Sequence, residues 1–209
     1  MNRAPALAAV VAGAALSLLA GASALAQDKP PAAVSQVCAA CHAADGNSTA
    51  PANPKLAGQV SEYLEKQLRD FKPEPGKKPR RESAVMNGMA ANLSDTDVQV
   101  LASYFASQTL KPAAASDKAL ASEGQKLWRG GDPAAGVPAC AGCHGPGGAG
   151  IPSEFPRLGG QYAEYIAAQL QAFRSGARAN DGSGMMRGVA ARLTDSQIRA
   201  LSEYVAGLR

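Results

Sequence analysis

The pentapeptide CAACH, at residues 38–42, returns as CAGCH at residues 140–144. The two copies contain all 4 cysteines and both histidines of the 209-residue chain. Cys-x-x-Cys-His is the attachment sequence of c-type haem: two thiols one helical turn apart reach the two vinyl groups of one porphyrin, and the adjacent imidazole faces the iron. The pattern predicts two covalently bound haem c groups. The attachment residues are expected to be Cys38, Cys41, Cys140 and Cys143.

Closely spaced cysteines also occur in disulfides, zinc sites and thiol redox centres. A zinc site needs further ligands, and no other Cys or His remains in this chain to supply one. Thiol–disulfide exchange usually uses a strand–helix unit, and the chain lacks the sustained alternation of apolar and polar residues that predicts strands. Haem attachment explains both motifs, and it assigns His42 and His144 as the proximal iron ligands.

The two motifs lie in a unit that occurs twice. PKLAGQVSEYLEKQLRDFK, from Pro54, aligns with PRLGGQYAEYIAAQLQAFR, from Pro156, and MNGMAANLSDTDVQVLASYFA, from Met86, aligns with MRGVAARLTDSQIRALSEYVA, from Met186. The apolar residues of both copies recur at helical spacing. Such a tandem duplication predicts an all-α protein with two similar domains and no substantial sheet.

Local signals mark the helix starts and the domain boundary. Ser94 with Asp97, and Thr194 with Gln197, have the spacing of capping boxes. Within KPAAASD, at 111–117, a proline stops one helix and an aspartate caps the next. We therefore divide the chain into four segments: a signal peptide at 1–26, a first domain at 27–111, a linker at 112–117 and a second domain at 118–209.

The N-terminus is typical of a cleaved secretory signal peptide. Arg3 precedes an apolar run that ends in the small-residue segment Ala24-Leu25-Ala26, so we expect cleavage near Ala26 and export to the periplasm. Retention of the run as a membrane anchor is the alternative, since its length is close to that of a bilayer span. Cleavage removes one basic residue of 21 and leaves 20 against 17 acidic residues, a net charge of +3. That surplus is too mild to predict nucleic-acid binding.

The sixth ligand of each iron follows from the inventory, because the chain has no third histidine. Methionine is the next candidate, and the mature chain has 4 of them. Only Met86 and Met186 coincide in the repeat alignment, whereas Met89 and Met185 each align with a valine. We therefore assign Met86 and Met186 as distal ligands. Met89 and Met185 are expected to pack in the haem pocket or in the core.

His/Met ligation indicates electron transfer. The thioether stabilises ferrous iron, and with both axial positions filled no site is open to oxygen or peroxide. We therefore expect no catalytic residues and no enzymatic activity. Pro54 and Pro156, each 12 residues beyond its histidine, are candidates to accept a hydrogen bond from the proximal imidazole. A simple turn before a helix is the alternative role for these prolines.

The tandem CxxCH units, PKLAGQ and PRLGGQ, and the segment MRGVAARLTDSQI resemble the diheme cytochrome c4 family over residues 30–209. The resemblance implies two class I cytochrome c domains related by an approximate two-fold axis, with haem propionates near their interface. It implies a periplasmic carrier between a cytochrome bc1 complex or another donor and a terminal oxidase such as a cbb3-type enzyme. Loose attachment to the inner membrane occurs in some members, and no small-molecule substrate is expected.

Two other functions remain open from the sequence. The chain could be the cytochrome subunit of a dehydrogenase, or a diheme peroxidase, which would need an open sixth position at one iron. The basic run KKPRR, at 77–81, has three interpretations: a docking patch for an acidic partner, a solvated loop, or arginines that face haem propionates.

Overall fold

The computed structural model describes Met1 and residues 30–209. The predicted signal peptide and its cleavage site lie outside the described residues, apart from Met1. Within the described part of the chain, no helix combines the length and the apolar character that crossing a membrane requires.

The chain forms helices joined by irregular loops, and the two halves have the same order of elements. The first half contains a π-helical turn at Val34–Cys38, α1 (Ala39–His42), α2 (Ser61–Phe71), α3 (Met86–Ala90) and α4 (Asp95–Ser107). The second half contains α5 (Lys118–Gly130), α6 (Ala141–His144), α7 (Ala163–Ser175), a 3-10 turn at Gly182–Gly184, α8 (Met185–Ala190) and α9 (Asp195–Gly207). The described residues form only isolated β-bridges, so the all-α prediction is confirmed.

The helix starts follow the sequence signals. The backbone N–H of Asp97 donates to Ser94 Oγ over 3.1 Å, and the Ser94 N–H donates to Asp97 Oδ2 over 2.9 Å. Thr194 and Gln197 make the equivalent pair of bonds at the start of α9. Both predicted capping boxes are confirmed. The Asp117 carboxylate accepts hydrogen bonds from the backbone N–H groups of Ala119 and Leu120, in the first turn of α5.

Each half has its own hydrophobic core. In the first half α2 packs on α4, and in the second half α7 packs on α9. The second half also has the long helix α5, which lies along α9 and buries Trp128. In the first half the short π-helical turn takes the position before the motif and buries Val34.

Gly124 allows the close approach of α5 to α9. A Cβ at this position would lie 2.0 Å from the carbonyl oxygen of Ala200, which is backbone and cannot move aside. The position is buried, and only a hydrogen fits between the two helices.

We expect Gly124→Ala to destabilise the second domain by about 1–3 kcal/mol or more, because overpacking forces the two helices apart. The matched control is Gly130→Ala in the same helix, where an added Cβ meets nothing within 4 Å. Chemical denaturation of the holoprotein measures the free energy of unfolding of both variants. Equal stabilities of the two variants would contradict the packing argument.

The domains meet through segments that are equivalent in the repeat. The Gln59 side chain bonds the backbone of Arg157, and the Gln161 side chain bonds the backbone of Lys55. Because the same contact occurs twice with the domains exchanged, the interface has the approximate two-fold symmetry that was predicted.

Candidate haem sites

Each CxxCH motif forms a single helical turn that ends at its histidine, at the C-termini of α1 and α6. None of the 4 cysteines is joined to another in a disulfide. Burial raises the pKa of the Cys140 thiol to about 11 and also raises the pKa of Cys38. Reactive redox thiols need a lowered pKa, so neither Cys38 nor Cys140 has the environment of a redox thiol.

Both motif histidines are buried and held by a proline carbonyl. His42 Nδ1 lies 2.9 Å from the Pro54 oxygen, and His144 Nδ1 lies 3.0 Å from the Pro156 oxygen. Because a carbonyl can only accept, Nδ1 carries the hydrogen and Nε2 keeps its lone pair. Burial lowers the pKa of both imidazoles, which favours the neutral form. A neutral imidazole with a free Nε2 is the state that binds a metal.

A cavity of about 440 Å³ lies in the second domain and extends to the domain interface, where Tyr63 and Gln67 of the first domain complete its wall. Cys140, Cys143, His144 and Met186 all lie in its wall. Most of the remaining lining is apolar, and comes from Leu158, Ile166, Leu170, Phe173, Val189, Leu193, Leu201 and Val205. A set of apolar walls with two thiols, one imidazole and one thioether fits a flat hydrophobic macrocycle with a central metal. Among residues 30–209, no group of three or more His, Cys, Asp or Glu side chains is placed to hold a bare metal ion.

The four methionines differ in burial. Met86 opens α3 and Met186 is the second residue of α8, and both are half-buried. Met89 and Met185 are 48% and 43% exposed. The core-packing alternative for these two residues is therefore wrong. Met185 does lie in the wall of the cavity, next to Met186.

Different side chains hold the two methionine loops. Asn87 Nδ2 donates to the carbonyls of Phe71 and Arg81 over 2.7 and 2.9 Å, and its oxygen accepts from the Ser83 N–H. In the second domain Asp181 accepts bonds from the backbone N–H and the Nε of Arg187. Our sequence analysis missed these residues. Asn87 and Arg187 are equivalent in the repeat, and their position directly after Met86 and Met186 was the available signal.

Comparisons with known proteins agree with this arrangement. The cytochrome c family model matches residues 30–109 and again 121–209. The chain is 53% identical to cytochrome c4 of Thiocapsa roseopersicina over 82% of its own length and 87% of the relative. The chain belongs to the diheme cytochrome c4 family. The crystal structure of reduced recombinant cytochrome c4 from Pseudomonas stutzeri matches with a TM-score of 0.80 at 48% identity, covering 85% of this chain and 97% of that chain.

The chain is also similar to a protein whose name states the enzyme from which it accepts electrons. The chain is 43% identical, over 85% of its length and 80% of the relative, to a thiosulfate dehydrogenase electron acceptor of Thiomonas intermedia.

Membership of the cytochrome c4 family establishes the cofactor content. The protein binds two haem c groups covalently, one in each of two tandem cytochrome c domains. It is an electron carrier and not an enzyme, as the two methionines suggested. The peroxidase alternative is therefore not supported.

The interface between the two domains buries two arginines, Arg81 and Arg178. Each guanidinium stacks 4.5 Å above a phenylalanine of its own domain and reaches across to the other domain. Arg81 bonds Tyr165 over 3.1 Å, and Arg178 bonds Tyr63 over 2.9 Å. The remaining acceptors that the described residues provide are uncharged, namely Gln67, Gln169 and Asn180. Charge reaches Arg178 only indirectly, from the Asp181 carboxylate and through Asn180, which bonds Asp70. Buried guanidiniums without a directly bonded carboxylate favour an anion nearby.

The residues of the basic run KKPRR therefore lie in two different environments. Its last residue, Arg81, belongs to the interface and cannot serve as part of a docking patch. Lys77 and Lys78 are exposed and lie near Glu74 and Glu82, at 3.0 and 3.7 Å. Because Lys77, Lys78 and Arg80 are exposed, the rest of the run is solvated, and its exposed ion pairs contribute little to stability.

Proposed function

We propose that the chain carries electrons one at a time through two centres that are ligated by histidine and methionine. His42 and Met86 ligate the first iron, and His144 and Met186 ligate the second. Cys38, Cys41, Cys140 and Cys143 attach the two porphyrins. The observation that carries this proposal is the cavity of the second domain, whose wall contains both thiols, His144 and Met186.

The haem iron supplies the one-electron couple between its ferric and ferrous states. The protein orients the imidazoles through Pro54 and Pro156, whose carbonyls hold Nδ1–H and leave Nε2 for the metal. The apolar wall excludes water, and a low dielectric disfavours the additional positive charge of ferric iron. With a histidine and a methionine supplied to each iron by the protein, the same residues would hold the metal in both oxidation states.

Arg81 and Arg178 are proposed to face the propionates. Arg178, Tyr63 and Gln67 lie in the wall of the same cavity as His144, so the polar end of that cavity is at the domain interface. A carboxylate there would give the buried guanidiniums the directly bonded charged partners that the described side chains do not provide.

We expect Arg178→Gln to lower the reduction potential of the second centre, because loss of a nearby positive charge favours the ferric state. The matched control is Arg199→Gln, which removes an exposed charge from α9. A redox titration followed by visible absorption measures both variants. An unchanged potential in Arg178→Gln would exclude the propionate contact.

The location and limits of the mature protein are part of the proposal. Residues 1–26 are removed on export, and the domains at 27–111 and 118–209 are joined by the linker at 112–117 in the periplasm. Peripheral attachment to the inner membrane belongs to the same proposal.

The redox partners come from two classes. The first is the respiratory chain, with a cytochrome bc1 complex as donor and a terminal oxidase, such as a cbb3-type enzyme, as acceptor. The second is a thiosulfate dehydrogenase, favoured by the 43% identical electron acceptor of Thiomonas intermedia. Stopped-flow reduction distinguishes them: the oxidised protein is mixed with either purified donor, and the faster second-order rate identifies the partner.

The proposed ligands are tested by visible absorption of the purified holoprotein during a reductive titration. We expect the weak far-red band of sulfur-ligated ferric iron for both haems, with no change when carbon monoxide or peroxide is added. A haem that lacks this band and binds carbon monoxide would overturn the assignment of Met86 or Met186.

A further inference from the structure

Each proximal histidine is connected by hydrogen bonds to the opposite domain. The Pro54 carbonyl, which holds His42, and the Lys55 N–H belong to one peptide group. That N–H donates to Gln161 Oε1 over 3.0 Å, and Gln161 Nε2 donates back to the Lys55 carbonyl over 2.9 Å. Gln161 lies in the second domain, and both it and Lys55 are buried.

The second centre has the same connection in reverse. The peptide group of Pro156 and Arg157 holds His144 through its carbonyl, and its N–H donates to Gln59 Oε1 over 2.7 Å. Gln59 Nε2 donates to the Arg157 carbonyl over 2.9 Å. Each histidine is therefore separated from a glutamine of the other domain by a single peptide group.

The glutamine oxygens are held in place by their own domains. Gln59 Oε1 also accepts from the Val60 N–H over 2.9 Å, and Gln161 Oε1 accepts from the Tyr162 N–H over 3.0 Å. These N–H groups lie at the starts of α2 and α7. The start of a helix in one domain thus fixes each glutamine side-chain amide. That amide in turn binds the peptide group that holds the histidine of the other domain.

We propose that Gln59 and Gln161 are reciprocal positioning residues: each glutamine controls the proximal histidine, and hence the reduction potential, of the haem in the opposite domain. The inference rests on the proposed roles of His42 and His144 as iron ligands. It makes domain docking a determinant of both potentials. Neither domain alone contains the full set of groups that act on its histidine.

The direction of the effect follows from polarisation along the bonds. A hydrogen bond to the Lys55 N–H makes the carbonyl of the same peptide a stronger acceptor. A stronger bond to Nδ1–H makes the imidazole a better electron donor, which stabilises ferric iron. Loss of Gln161 therefore raises the potential of the first haem, and loss of Gln59 raises the potential of the second.

The size of the shift follows from two general magnitudes. Loss of a group that bonds a metal-bound histidine lowers metal affinity or activity by about 10- to 100-fold. One hydrogen bond changes the strength of a neighbouring hydrogen bond by roughly 10–30%. Together they give about a twofold change in the equilibrium constant of oxidation, or about 18 mV at 59 mV per tenfold for one electron.

The test uses the holoproteins of Gln161→Leu and Gln59→Leu. Redox titration is followed by NMR of the haem methyl resonances, which reports each haem separately. We expect Gln161→Leu to raise the potential of the haem at Cys38 and Cys41 by at least this amount, with a smaller change at the other haem. Gln59→Leu should produce the mirror image. A shift confined to the haem of the mutated domain would overturn the proposal.

The Gln161→Glu variant distinguishes control of the proximal histidine from loss of the contact between the domains. A glutamate retains an oxygen that accepts from the Lys55 N–H, whether the carboxyl is ionised or not. The potential of the first haem should therefore stay at the wild-type value or fall below it. A rise equal to that of Gln161→Leu would show that the glutamine serves only the interface.

The matched controls replace exposed glutamines, Gln99→Leu in the first domain and Gln171→Leu in the second. Neither control variant should shift the reduction potential of either haem. The far-red band recorded on every variant keeps the two proposals distinguishable. Absence of the band in the unmutated protein contradicts the axial ligands, whereas an intact band without crossed shifts contradicts only the role of the glutamines.

Discussion

Met186→Ala is expected to remove the far-red ferric band from one of the two haems and to let that iron bind carbon monoxide. Met186 is the half-buried methionine of the cavity that contains His144, and alanine has no atom that could replace its thioether. The potential of the affected haem should fall by roughly 100 mV or more, within the ~0.8 V range that axial ligands set.

The neighbouring residue is a demanding control. Met185 is exposed by 43% and lies in the wall of the same cavity, so Met185→Ala tests whether the sequence alignment chose the correct methionine. This variant should keep both far-red bands. Met86→Ala and Met89→Ala form the equivalent pair in the first domain. If Met185→Ala, and not Met186→Ala, loses a far-red band and binds carbon monoxide, the distal ligand of the second domain is Met185.

Replacement of Cys140 and Cys143 together by alanine is expected to leave one haem per chain and to prevent the second domain from folding. Without the haem, the wall residues face a void of about 440 Å³. At about 24 cal/mol per Å³, a fully enclosed apolar void of this volume costs on the order of 10 kcal/mol, which is an upper bound here because the cavity opens at the domain interface. A cost of that size equals the whole stability of a typical domain.

Mass spectrometry counts the covalently bound haems, and far-ultraviolet circular dichroism measures the helix content of the same sample. The mirror variant, with Cys38 and Cys41 replaced by alanine, controls for damage to the chain as a whole. It should keep the haem of the second domain. A double variant at Cys140 and Cys143 with native helix content would show that side chains, and not the cofactor, hold the second core together.

Much of the architecture could be predicted because its signals are local. The capping boxes at Ser94 and Thr194 depend on residues three positions apart, and both are present. The duplication was visible as self-similarity. The two motifs predicted two haem groups because the spacing of thiols and imidazole is itself the chemical requirement.

The basic run shows where local signals fail. A cluster of charges predicts a solvated face, yet Arg81 is buried against Phe71 and the second domain. Its partners Tyr165 and Gln169 are more than 80 residues away in the chain. Nothing within the run indicates which of its charges will be enclosed.

The sequence by itself determined the helical class, the two haem groups and the carrier function, because each depends on residue types at short, fixed spacings. Only the tertiary structure decided which residues serve both domains at once. Gln59 and Gln161 recur in the repeat, but their partners lie 98 and 106 residues away, and a repeat aligns equivalent positions without showing which of them meet. The two-fold packing brings each glutamine to the other domain's histidine peptide, and that contact exists only when the domains are docked.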